Sequence, residues 1–84
     1  MNDNKSETQS VVLRELLTDL RTRAQLTQRE LSLQLGRPQS YVSKYESGER
    51  KLTLIEIRKI AVCCGTNLTE FITNFEEELS IIEE

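Results

Sequence analysis

A chain of 84 residues with three Gly, one Pro, no Trp and 5% aromatic residues holds one modest aliphatic core. Turn formers are too scarce for a β-sandwich, so the composition predicts an all-α bundle. The formal net charge of −3 argues against a phosphate-bearing partner only as a total, because segment 14–59 carries ten Lys/Arg against six Asp/Glu, while 60–84 carries six Glu and no base.

The polar segment 1–9 reads as a flexible N-terminus, and no secretory core follows Met1. Leu13, Leu16, Leu17, Leu20 and Ala24 then form one apolar stripe at helical spacing, with Arg14 and Arg21 on the neighbouring stripe. Three later helices announce themselves by a capping residue three positions before a Glu: Thr27/Glu30, Thr53/Glu56 and Asn67/Glu70. The second helix carries Leu31 and Leu35 and stops at Gly36. Pro38 restricts Arg37 to extended backbone, and a third helix spans about 39–47 up to Gly48. After the polar loop Glu49-Arg50-Lys51, a fourth helix carries Ile57, Ile60, Ala61 and Cys64, with Gly65 suited to its end. A fifth begins at Asn67, with Leu68, Phe71 and Ile72 completing the core. No run approaches the ~20 apolar residues of a membrane span. The adjacent Cys63 and Cys64, in a chain without His, suit apolar packing and not a disulfide framework or a metal site. A cytoplasmic protein without cofactor or metal is expected.

A short capped helix, a Gly-containing turn and a second short helix let one helix cross a DNA backbone while the next enters the major groove. At 100° per residue, Gln39, Ser40, Ser43 and Lys44 share one arc, opposite Tyr41, Val42 and Tyr45. The first arc holds amide, hydroxyl and ammonium groups and no acid. Gln can bond adenine N6/N7 in a bidentate way, Lys can reach guanine O6/N7, and Ser adapts to either role. An ordinary solvated face is the plain alternative for these four residues, as a charged loop is for Arg50 and Lys51. Arg58 and Lys59 read as solubilising, whereas Arg14 and Arg23 stay unassigned.

Thr27-Gln28, Glu30-Leu31, Leu35-Gly36, Val42-Ser43, Glu46, Gly48 and Arg50, in that order, resemble the phage-repressor/Cro-like (Xre) family of helix-turn-helix regulators. The likeness runs from about Leu13 to Phe71. It implies a five-helix bundle of the lambda-repressor-like DNA-binding type, with the helix-turn-helix at helices 2 and 3, and no enzymatic activity. It also implies that Gln28 bonds a phosphate and braces the start of the recognition helix near Gln39. Arg37, at the lip of the groove, would face base edges together with Gln39, Ser40, Ser43 and Lys44. Ser47, Arg50 and Lys51 would hold the backbone, and Arg21 and Glu46 would form an internal ion pair. Gln25 stands where the family usually has Gly, so slight strain is expected there. Ser32 replaces the usual Ala, and Cys64 a common Leu.

The domain would span 10–72, followed by an acidic amphipathic extension over 73–84. There Phe75, Leu79 and Ile82 continue the apolar stripe, as a homodimer interface or as a helix folded back on its own core. The expected function is binding of a two-fold operator in double-stranded DNA as a homodimer, acting as a repressor or autoregulator. A protein-interaction module such as an antitoxin, with the C-terminal helix as main partner site, is the competing class.

Overall fold

Capping chemistry sets three of the helix starts. The computed structural model describes residues 4–83 and forms α1 (Asn4–Arg23), α2 (Gln28–Gln34), α3 (Tyr41–Glu46), α4 (Leu54–Cys63) and α5 (Leu68–Ile82), with no strand among the described residues. Thr27 and Thr53 accept from the backbone N–H of Glu30 and Glu56, and each Glu side chain accepts from its cap's own N–H. Asn67 caps α5 by accepting from the Glu70 N–H at 2.8 Å.

Two boundaries differ from the sequence reading. Residues 4–9, expected to be flexible, form the first turns of α1, since neither Gly nor Pro interrupts 4–23 and Gln9 donates to Glu83, just past the end of α5, at 2.7 Å. Residues 1–3 of that segment, and Glu84 of the C-terminal extension, lie outside the described residues. The third helix is shorter than 39–47: Gln39 and Ser40 form the turn before it, closed by Tyr41 N–H donating to Pro38 carbonyl at 2.9 Å.

Leu17, Leu31, Val42, Tyr45, Ile60, Ala61 and Phe71 fill the core, each larger aliphatic contributing roughly 1.5–3 kcal/mol through burial. Around it, α3 packs on α1 and α2, while α5 packs on α1 and α4. Burial pushes the Cys64 thiol up to about 11, so it is a neutral packing group at physiological pH. Among the described residues, no helix is long and apolar enough to cross a membrane.

Two polar details fix the helix-turn-helix. Ser40, the N-cap of α3, makes no side-chain capping bond. The wholly buried Ser32 of α2 accepts the Val42 N–H instead, at 3.2 Å, so one helix satisfies an end donor of the next. Ser32→Ala is expected to cost about 1 kcal/mol, read as a lower denaturant midpoint at constant slope. In the turn after α1, Gln25 adopts a φ of +61°, in the left-handed region where an L-residue is strained. Gln25→Gly should therefore stabilise the fold by up to about 1 kcal/mol, a rise in thermal midpoint that Gln25→Ala does not reproduce.

Candidate nucleic-acid interface

Tyr41, Val42 and Tyr45 are buried and pin α3 to the bundle, which turns Ser43 and Lys44 outward. Gln39 and Ser40 are exposed in the turn that leads into α3. Ser43 donates to the Ser40 carbonyl and Ser47 to the Lys44 carbonyl, both at 3.0 Å, so each hydroxyl is oriented by its own helix. Lys44 and Lys51 are exposed, and among the described residues neither is paired with a carboxylate.

At one end of this face, Glu46 collects three donors. Arg21 reaches it through Nε at 2.7 Å and Nη2 at 3.0 Å, and Gln28 Nε2 donates at 2.9 Å. Arg21 Nη1 also donates to the Leu26 carbonyl at 2.9 Å, tying α1 to the start of the motif. The hydrogen bond to Glu46 raises the Arg21 pKa above its usual value, against the opposing effect of burial. Gln28 thus braces the C-terminal end of α3, not its start near Gln39. An amide nitrogen carries two hydrogens, so one is left for a phosphate.

At the other end, Arg37 and Arg50 lie over the Tyr41 ring, their guanidinium carbons 4.8 and 5.1 Å from its centroid. Both donate to the same Glu56 oxygen, Oε2, at 3.1 and 2.6 Å. The Thr53 N–H and the two arginines hold the Glu56 carboxyl below the usual carboxylate range, while burial and Glu56 push the Tyr41 hydroxyl up. Arg37, Ser40, Tyr41, Lys44 and Arg50 line a shallow groove together with one acid, Glu49. Arg14, which the sequence left unassigned, lies with Arg50 and Lys51 around a cavity of about 150 Å³. Its guanidinium also lies against the backbone of Gly48, whose φ of +87° no side chain would favour.

Of the groups expected to meet DNA, Arg37, Ser40, Lys44 and Arg50 line one groove, and Arg37 and Arg50 are also engaged internally by Glu56. Glu56 was legible only as the Glu of a capping box. The signal for its second role is that the cap uses Oε1 alone and leaves Oε2 to accept. Phe75, Leu79 and Ile82 do not form one exposed stripe. Leu79 is buried within the chain, Phe75 is half-buried and Ile82 is exposed, because α5 continues along α1 as far as the Gln9–Glu83 bond.

A helix-turn-helix family model matches residues 17–71. The solved structure of an XRE-family like protein from Pseudomonas syringae pv. tomato str. DC3000 is similar at a TM-score of 0.81 and 37% identity, over 87% of this chain and 89% of that one. No curated protein matches the sequence. The chain belongs to the XRE-type helix-turn-helix family of DNA-binding regulators.

Proposed function

We propose that this protein binds a two-fold operator as a homodimer and acts there as a repressor or autoregulator. The observation that carries the reading is the two-sided α3: a buried Tyr41/Val42/Tyr45 side, and an opposite side with exposed Lys44 and half-buried Ser43, preceded by exposed Gln39 and Ser40 in the turn. In this reading Lys44 and Gln39 read base edges in the major groove, while Gln28, Ser47, Arg50 and Lys51 hold phosphates. Two recognition helices would enter half-sites about 10–10.5 base pairs apart. The dimer would use the apolar surface left exposed near the end of α5, where Ile81 is 66% and Ile82 49% exposed. That contact needs no metal or cofactor, and the reading assigns no catalytic role to any residue. A protein partner docked on the same end is the alternative.

Selection of bound duplexes from a random pool tests the proposal. An enriched half-site repeated with two-fold symmetry is expected, and a pool without enrichment overturns operator recognition. On the selected site, Lys44→Ala should cost about 1–2 kcal/mol and relax the preference at one position. Lys51→Ala should weaken all sequences alike and flatten the salt dependence by about one unit.

A further inference from the structure

We infer that Glu56 is a positioning residue for DNA recognition: its carboxylate gathers Arg37 and Arg50 over the Tyr41 ring into one clamp for a single backbone phosphate. The inference rests on the operator-binding reading above and adds to it a residue that does not itself touch DNA.

Arg37 comes from the turn before α3 and Arg50 from the loop after it, so the clamp joins the segments that flank the recognition helix at its Tyr41 end. Two guanidinium groups within about 5 Å of one ring repel each other, and a shared anion offsets that repulsion. Glu56 supplies the anion and is itself fixed, since Oε1 accepts from the Thr53 N–H at 2.9 Å while Oε2 accepts from both arginines. The Glu56 side chain is 11% exposed, whereas those of Arg37 and Arg50 are 40% and 39% exposed. The carboxylate is thus the more buried partner; the Arg50 Nε is buried beside it, and the exposed part of the pair lies elsewhere on the two side chains. Each arginine spends one Nη2 contact on Glu56, and Arg50 also interacts with the Tyr41 hydroxyl; the N–H groups that remain on the two side chains supply the grip on a phosphodiester. The two long side chains are ordered when the protein folds, so that ordering is not repeated on binding.

This assignment moves Arg37 from base reading to backbone holding. A phosphate contact of fixed geometry still favours the operator, because it forms fully only when α3 is seated in register. On random DNA the arginines act as diffuse positive charge.

Glu56→Gln removes the charge but keeps the capping box, which accepts Gln at this position. Affinities for the selected operator and for a random duplex of equal length are compared by fluorescence anisotropy, with unfolding curves confirming the fold. The operator-to-random ratio is expected to fall about tenfold, the effect of one charge-assisted hydrogen bond. Arg50→Lys, which keeps the charge and loses the planar fork, should lower the ratio similarly, and the double variant should go little further than either single one. If Glu56→Gln changes both affinities by the same factor, Glu56 acts only through its charge and the inference fails while operator binding stands. If Glu56→Gln destabilises the fold, Arg50→Lys decides, and an unchanged ratio there overturns the clamp. A random pool that yields no operator removes the underlying reading, and the clamp with it.

Discussion

Glu46→Ala is expected to lower stability by about 3 kcal/mol and to remove DNA binding through the fold, not through a lost DNA contact. The size follows from what the carboxylate accepts: Arg21 Nε, Arg21 Nη2 and Gln28 Nε2 all end on it. Arg21 and Glu46 side chains are only 14% and 7% exposed, so truncation leaves a guanidinium with little water to replace its partner. It also frees Gln28 and disconnects α1 and α2 from the end of α3. A domain of this size loses roughly 4–8 °C in thermal midpoint per kcal/mol, so the shift is easily measured. Removing both charges in Arg21→Met with Glu46→Leu should recover much of the loss, because apolar groups of similar volume leave no unpaired ion. A single-variant loss below about 1 kcal/mol, the range of solvent-exposed pairs, would show the pair to be ornamental.

Leu79→Ala should cost about 2–3 kcal/mol in the isolated chain. Leu79 and Val12 are both buried where α5 runs along α1, away from the main core cluster. The loss should not depend on protein concentration, since that burial lies within one chain. Ile82→Ala should leave the unfolding free energy of the isolated chain within about 0.5 kcal/mol of the parent, as at other exposed positions. A Leu79→Ala penalty that grows as protein is concentrated and fades on dilution would restore this side chain to an intermolecular contact.

The sequence disclosed the helix order, since capping residues and apolar spacing act locally. Thr27, Thr53 and Asn67 all cap the helices expected of them. The Arg21–Glu46 pair was reached through the resemblance, because no local rule links residues 25 positions apart. What stayed hidden depends on side chains meeting across turns: Ser32 capping α3 from α2, and Glu56 holding Arg37 and Arg50. The start of α1 was hidden for another reason. Its first turns are polar, and a helix without an apolar stripe gives periodicity nothing to detect. Leu79 was legible as apolar and correctly spaced, but pattern alone does not say whether the covering surface belongs to the same chain.

The division of charge along the chain also acts before contact. Ten of the eleven basic residues lie between Arg14 and Lys59, and α5, with Glu76, Glu77 and Glu78 exposed, packs on α1 and α4 and not chiefly on α3. The molecule is therefore an electric dipole despite its modest net charge. Near a duplex such a dipole feels a torque as well as a force, so an approaching molecule is turned with its basic end toward the phosphates. Within a Debye length of about 8–10 Å, rotation would precede docking, and under the proposed binding mode a larger share of collisions would begin with α3 facing the groove.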